Sequence, residues 1–206
     1  MTARIVTGDL PSDLAQTFRR EHLVAVDTET TGLDWRRNSL ELCQLFTPAT
    51  GAVLIRRSDA YPENLLSLLR DRLITKVFHY APFDLRFLEA TWRAETGPVY
   101  CTKAASKLLN PQLPAREHSL GPLLERHFSL HLDKGLVRVS DWGASELSPE
   151  QVAYAAADVS NLLRLVDQQS SELRARGLEA DFELICSYMP LDARLEVAGY
   201  PNPLIY

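Results

Sequence analysis

Short apolar runs and helical periodicities follow one another along this chain of 206 residues. A run of about five apolar residues between polar or turn-forming residues is typical of a buried strand, whereas apolar residues three or four positions apart indicate a helix. Strands are therefore predicted at residues 23–27, 40–46, 52–56 and 74–78, with a short one at Val99. Helices are predicted from Pro62, from Pro82, over 102–109, over 119–128 and from Ser148 to about Gly177.

The longest predicted helix carries the clearest start signal. Ser148 is its expected N-cap, Pro149 takes the first helical position, and Gln151 completes a capping box. Strands come first along the chain and helices later, with strand–helix units between them, which predicts an α/β fold with a mixed central sheet flanked by helices. No repeat or low-complexity linker divides the sequence, so a single domain over 1–206 is expected, with a core at about 20–175 and a helical extension and tail at 176–206.

The composition narrows the class of protein. Hydrophobic residues make up 46% and charged residues 24% of the chain, which fits a globular protein and excludes disordered, collagen-like and coiled-coil classes. Cys43, Cys101 and Cys186 lack the spacing of a zinc site or a disulfide framework, so buried free thiols in a reducing compartment are expected. The N-terminus lacks the apolar core of a signal peptide, and a cytoplasmic location is therefore expected.

The net charge bears on whether the protein binds nucleic acid. The net charge is −5, which argues against binding of nucleic acid through bulk positive charge. The excess of acid is concentrated in residues 141–206, which carry 11 acidic and 4 basic side chains, while the preceding part of the chain is slightly basic.

Two acidic residues end the first predicted strand. The triplet Asp-x-Glu occurs twice, as Asp27–Glu29 and as Asp181–Glu183, but only the first copy ends an apolar strand. Strand alternation places Asp27 and Glu29 on one face, and burying two acids there is costly unless a cation compensates them. A divalent metal is the natural partner; the alternative is a strand end that simply emerges into solvent.

Two further acids belong to Tyr-x-x-x-Asp pairs. Of the three pairs, Pro82 interrupts Tyr80/Asp84 and Pro190 interrupts Tyr188/Asp192, so only Tyr154/Asp158 is predicted to lie within one uninterrupted helix. Packing of Tyr154 in the core with Asp158 at its rim is the alternative to a functional role. Asp84 falls in the first turn of the helix after the strand that ends at His79, where the helix dipole alone would favour an acid.

Together these acids have the chemistry of a two-metal centre. Asp27, Glu29, Asp84 and Asp158 can hold two divalent cations about 4 Å apart, and ligand sets made only of oxygen select Mg²⁺ or Mn²⁺. Such a centre supports in-line displacement at a phosphodiester. Tyr154, with an ordinary pKa near 10, is a poor base at neutral pH and is predicted to position the attacking water.

The ordered set of motifs resembles the DEDDy 3′→5′ exonucleases, and most closely the ribonuclease D group. The resemblance covers about residues 20–175 and includes the segments 26–33, 42–45, 141–142 and 147–159. It implies a ribonuclease H-like fold, the four acids as metal ligands and Tyr154 as a catalytic residue. One position departs from the family pattern, because Tyr80 stands where an Asn is usual.

Only about 30 residues follow the long predicted helix, so the HRDC-type helical domains of full-length ribonuclease D are not expected. The chain looks like the bacterial nano-RNase C branch, which implies release of 5′-mononucleotides from short single-stranded RNA, down to dinucleotides, and a homo-oligomer such as a ring-shaped octamer. The aromatic tail at 200–206 is a candidate for that assembly. Alternatives are an exonuclease of DNA or of longer structured RNA, and a non-catalytic nucleic-acid-binding scaffold.

Several residues near these motifs are candidates for substrate binding. Leu33 is predicted to wedge against the terminal base, Lys103 to contact a phosphate, and Trp142 to line the substrate cleft; ordinary packing or solvation explains each almost as well. Gln44, on a central strand, is predicted to hydrogen-bond a neighbouring loop or the substrate sugar. The full set of candidates is Thr28, Thr30, Leu33, Gln44, His79, Phe83, Lys103 and Trp142.

Overall fold

A six-stranded mixed sheet forms the centre of the protein. The computed structural model describes residues 3–131, 137, 140–200 and 202. The strands are β1 (Arg4–Thr7), β2 (Leu23–Thr30), β3 (Leu40–Thr47), β4 (Gly51–Arg56), β5 (Thr75–Phe78) and β6 (Val99–Cys101). The α-helices are α1 (Ser12–Phe18), α2 (Glu63–Arg70), α3 (Ala81–Trp92), α4 (Thr102–Leu109), α5 (Leu120–Phe128), α6 (Pro149–Ser160), α7 (Leu162–Ala175) and α8 (Glu179–Val197), and a 3-10 helix spans Ala115–His118.

The order of strands across the sheet is β1-β4-β3-β2-β5-β6. Short connections join β2, β3 and β4 into an antiparallel meander, while β1 pairs with β4, β5 with β2 and β6 with β5 in parallel. Parallel pairing requires a crossover, and α2 and α3 provide the crossovers that lead to β5 and β6. The sheet and its helices confirm the predicted α/β class.

Alternation along β3 divides the buried residues between two faces of the sheet. Cys43 and Leu45 belong to the main hydrophobic core, whereas Leu42 belongs to a smaller buried cluster. That cluster consists of Leu42, Leu54, Trp142 and Ala155, and its last member lies on α6. Helix α6 is therefore seated on the face of β3 and β4 that also bears Gln44.

Most predicted elements are confirmed within a few residues, and the capping box of Ser148 and Gln151 is present. The single helix predicted from Ser148 to about Gly177 is wrong, because α6 ends at Ser160 and α7 begins at Leu162. The Ser160 hydroxyl donates back to the carbonyl of Ala156, a bond that bends helices, and Asn161 is both the C-cap of α6 and the N-cap of α7. Strand β1 and helix α1 were not predicted.

The prediction that Pro190 interrupts the third Tyr-x-x-x-Asp pair is also wrong. Helix α8 continues through Pro190, and the hydroxyl of Tyr188 donates to Asp192 Oδ1 at 3.4 Å. Of the aromatic tail, residues 201 and 203–206 lie outside the described part of the chain. All three cysteines are buried and free. Within the described residues, no helix combines the length and apolar character needed to cross a membrane.

Candidate active site

Strand β2 presents the first two acids on one face. Asp27 pairs across the ladder with Gln44 and Glu29 with Leu42, so both carboxylates stand on the face that α6 covers. The register shifts between Glu29 and Thr30, which marks an irregularity at this point of the ladder. Asp27 is half-buried and Glu29 is buried.

Helix α6 brings a third acid to the same place. One ligand oxygen from each of Asp27, Glu29 and Asp158 lies within 4.8 Å of the other two. The hydroxyl of Tyr154, one turn before Asp158, hydrogen-bonds to the Asp158 carboxylate. The start of α6 is held by the capping box and by Gln151, whose Nε2 donates to the carbonyl of Asp141 at 2.9 Å. We call Asp27, Glu29 and Asp158 the carboxylate cluster.

Asp84, the fourth predicted ligand, lies beside the cluster without belonging to it. It is buried in the first turn of α3, and its Oδ1 accepts a hydrogen bond from the Thr28 hydroxyl at 2.8 Å. Burial raises the pKa of Asp84 to about 7, against the effect of the hydrogen bonds from Thr28, and the nearby charge of Asp158 acts in the same direction as burial. The structure thus brings three of the four acids into one group and places the fourth next to it.

The donor set suits hard divalent cations. Carboxylate oxygens are the ligands that Mg²⁺ and Mn²⁺ prefer, and the cluster gathers three of them at a separation that one ion can span. Gathering like charges in a partly buried place costs free energy, which a bound cation would offset. The residues present therefore fit a divalent metal.

Tyr154 is poorly suited to remove a proton. Burial raises the pKa of its hydroxyl above the ordinary value, and the neighbouring charges of Asp158 and Glu29 raise it further. The phenolate form is disfavoured for both reasons. The positioning of a water through this hydroxyl stays a prediction.

Of the predicted substrate contacts, Leu33 is exposed, whereas Lys103 and Phe83 are half-buried. Leu33 is 86% exposed in the loop after β2, where the Thr30 hydroxyl donates to the carbonyl of Gly32 and holds the turn. Lys103 Nζ lies 4.4 Å from the ring centre of Tyr80, which is exposed. Half-buried Phe83 packs against Phe87 with ring centres 5.0 Å apart, so its ring is engaged with α3 itself.

Other candidates are engaged within the protein by burial or by hydrogen bonds. Trp142 is buried, and its ring lies 6.0 Å from that of Tyr154, so it packs against the catalytic candidate rather than lining a cleft. Gln44 is fully buried and faces the carboxylate cluster, which rules out direct contact with a substrate sugar. His79 hydrogen-bonds through Nδ1 to the Thr102 hydroxyl at 2.9 Å, as expected for a structural histidine.

An ion network that no sequence motif predicted fastens the loop after β2. Glu196 on α8 accepts hydrogen bonds from Trp35 Nε1 at 3.3 Å and Arg36 Nη2 at 3.1 Å, and it pairs with Arg86. Arg86 also pairs with Asp192 at 3.1 Å. These partners lie more than 100 positions apart in the sequence, so no local pattern could reveal them.

Fold and site together define a metal-dependent DEDDy-type nuclease. The sequence model of the 3′-5′ exonuclease family matches residues 3–174, and the chain belongs to that family. It is a ribonuclease D-like member with a ribonuclease H-like fold.

Solved structures and sequence relatives support this assignment. Brucella melitensis NrnC is 33% identical and superposes with a TM-score of 0.90, with 100% of both chains covered. NrnC is also known with bound Mg²⁺ and bound to pGG. Escherichia coli RNase D, an exoribonuclease involved in structured RNA processing, is 25% identical with a TM-score of 0.82, over 94% of this chain and 51% of that one. Ribonuclease D of Zymomonas mobilis is 30% identical over 170 residues, which are 80% of this chain and 42% of the relative. The chain thus spans less than half the length of that relative.

Proposed function

We propose that the protein removes 5′-mononucleotides from the 3′ end of short single-stranded RNA, down to dinucleotides. The observation that carries the chemistry is the carboxylate cluster of Asp27, Glu29 and Asp158, with Asp84 beside it and the Tyr154 hydroxyl bonded to Asp158. Two divalent cations, Mg²⁺ or Mn²⁺, are the proposed cofactors. When bound, they would activate the attacking water and stabilise the charge on the leaving oxygen.

The side chains divide the remaining work. The four acids hold the cations, and Thr28 orients Asp84 through its hydroxyl. Tyr154 positions the water that attacks the terminal phosphodiester, and Asp158 in turn fixes the direction of the Tyr154 hydroxyl. The proposal assigns Leu33, which is 86% exposed, to press against the terminal base, and Lys103 to meet a phosphate.

The preference for short RNA rests on the likeness to NrnC. The chain matches the whole of NrnC, a protein solved with pGG, whereas it matches about half of E. coli RNase D. The net charge of −5 also suits binding of a few phosphates through metals better than binding of a long strand through surface charge. Processing of structured RNA is the second candidate, favoured by the superposition on RNase D.

A length series of RNA tests this proposal. Purified protein is incubated with RNAs from dinucleotide to 20-mer and with matching DNAs, with Mg²⁺, with Mn²⁺ and with chelator. We expect kcat/KM to be highest for RNA of two to four nucleotides, with no cleavage in chelator. A preference for the 20-mer would favour the structured-RNA function, and equal rates on DNA would remove the restriction to RNA.

We also propose that the chain forms a homo-oligomer, with a ring-shaped octamer as the expected state, and acts in the cytoplasm. Helix α8 exposes Leu184, Ile185 and Leu191, an apolar surface that a second copy could cover. Three buried free cysteines agree with a reducing compartment. Native mass spectrometry of the protein and of Leu184→Glu checks the assembly: the variant should give smaller species, and an unchanged mass would show that this surface is not the interface.

A further inference from the structure

Gln44 occupies an unusual place for an amide. It lies on the central strand β3, is fully buried, and pairs with Asp27 on one side and Leu54 on the other. The neighbours on its face, Leu42 and Leu54, belong to the apolar cluster beneath α6. The surroundings would therefore accept an aliphatic side chain of the same length.

The two protons of the Gln44 amide point at two acids of the carboxylate cluster. Nε2 donates to Asp27 Oδ2 and to Glu29 Oε1, each at 3.4 Å. The register explains this reach, because Gln44 is directly opposite Asp27 and diagonal to Glu29 on the same face. The orientation of the amide is fixed by charge, since its carbonyl oxygen would be repelled by both carboxylates.

Folding alone does not account for a glutamine at this position. Its Oε1 is buried without a hydrogen-bond partner in the described part of the chain. An unsatisfied buried acceptor costs free energy, which an apolar side chain of similar volume would avoid. The free-energy cost of the unsatisfied Oε1 must be offset by Nε2, which donates to the two acids.

We propose that Gln44 is a positioning residue that holds the carboxylates of Asp27 and Glu29 at the spacing a divalent cation needs. A neutral donor suits this task, because a lysine or arginine would cancel the negative charge and compete with the cation. The amide instead draws two like-charged groups together and leaves their charge intact. This role rests on the proposed metal-dependent function and replaces the contact with a substrate sugar that the sequence had suggested.

Binding of Mn²⁺ by RNA-free protein tests the role without relying on catalysis. Gln44→Met keeps the volume and removes both donors. We expect calorimetry to show Mn²⁺ affinity about 10- to 100-fold weaker, the usual effect of removing a group that orients metal ligands. At saturating Mn²⁺, kcat should recover to within a few-fold of the unmodified protein.

Gln169→Met is a matched control. Gln169 is also a buried glutamine with an unpartnered Oε1, but its Nε2 donates to the carbonyl of Thr102 at 2.8 Å, and its contacts do not include the acids. Its variant should change the melting temperature while Mn²⁺ affinity stays within about two-fold.

The role is overturned if Gln44→Met binds Mn²⁺ as tightly as the unmodified protein, or if both variants weaken binding equally. Gln44→Asn, which withdraws the amide by one methylene, gives a second test should the methionine variant not fold; it should also weaken Mn²⁺ binding. Because the affinity is measured without RNA, a protein whose Mn²⁺ affinity depends on Gln44 but which cleaves no RNA would refute the proposed function and leave the role of Gln44 standing.

Discussion

Two helices of this protein carry the same Tyr-x-x-x-Asp pair and use it in opposite ways. On α6, the Tyr154 hydroxyl bonds to Asp158, whose carboxylate is grouped with those of Asp27 and Glu29. On α8, the Tyr188 hydroxyl bonds to Asp192. That carboxylate pairs with Arg86 at 3.1 Å and accepts a hydrogen bond from Asn202.

The difference lies in what surrounds each aspartate. An acid beside a guanidinium is compensated by the protein itself, so the α8 pair fastens α8 to α3. On α6, Asp158 lies beside two other carboxylates, and the three negative charges repel one another. A bound cation would reduce this repulsion, so the α6 pair suits metal binding. The motif sets the tyrosine–aspartate geometry, and the third group in contact decides whether the pair serves structure or chemistry.

Exchange of each aspartate for asparagine should give the largest contrast. Asp158→Asn should lower kcat by roughly 10³-fold or more, since a cation contributes several kcal/mol to stabilising the transition state. It should also raise the melting temperature in chelator, because one of three like charges is removed. Asp192→Asn should leave kcat within about two-fold and lower the melting temperature. Turnover assays and thermal melts decide, and an Asp158→Asn enzyme with substantial activity would contradict the assignment of Asp158.

Removal of each tyrosine hydroxyl should give a smaller contrast. Tyr154→Phe should lower kcat by about 10- to 100-fold, because the attacking water loses a positioning group, while Mn²⁺ affinity stays within about two-fold. Tyr188→Phe should leave kcat unchanged. Single-turnover rates at saturating metal provide the measurement. Equal rates for the two variants would show that the Tyr154 hydroxyl takes no part in catalysis.

Loss of Arg86 tests the structural half of the comparison. Arg86→Met should reduce the free energy of unfolding by about 1–3 kcal/mol, because Asp192 and Glu196 lose their charged donor in a partly buried place. Arg174→Met, which breaks an exposed pair with Glu179, should cost about 0–1 kcal/mol. Urea denaturation compares the two variants.

The cost of Arg86→Met should depend on pH. Burial works to raise the pKa of Glu196, but the hydrogen bonds from Arg86 and Trp35 outweigh it and lower that pKa below the ordinary value of 4.5. A carboxyl with a lowered pKa adds stability above its unfolded pKa, and this stability is lost as the pH falls through the folded value. The gap between Arg86→Met and the unmodified protein should therefore be full at pH 7 and shrink below about pH 4. A gap that stays constant with pH would indicate lost packing instead.

We expect the smallest effect on stability from a substitution in the remaining Tyr-x-x-x-Asp pair, Tyr80/Asp84. Tyr80 precedes α3 with φ of 73°, a left-handed conformation that Asn adopts more readily than Tyr. Tyr80→Asn should stabilise the protein by about 0.5–1 kcal/mol, offset in part by loss of the contact with Lys103. Denaturation curves give the sign, and a clear loss of stability would show that the ring contributes more than the backbone strain costs.

The sequence was most informative where a local period fixes geometry. Strand alternation predicted that Asp27 and Glu29 share a face, and the capping box predicted where α6 begins. Sequence patterns failed where tertiary contacts determine whether a helix continues. Helix α8 runs through Pro190 because Phe182 and Met189 pack in the core, and this packing offsets the one backbone hydrogen bond that proline removes.

Contacts between distant residues were equally out of reach. Gln44 was noticed as a polar residue on a central strand, but its bond to the acids depends on the register of β3 against β2. The partners of Glu196 lie on α3 and on the loop after β2, and no pattern within α8 marks them.

The family match ends at residue 174, yet α8 begins at Glu179 and fills the core against β6, where the ring of Phe182 meets that of Tyr100 at 4.7 Å. The part of the protein that resembles other exonucleases is therefore not a portable catalytic module. Grafted elsewhere without α8, it would expose Tyr100 and strip Arg86 of both its acids, and the loop that bears Leu33 would lose its anchor at Glu196. A chimera that borrows this catalytic centre needs to carry its last helix as well.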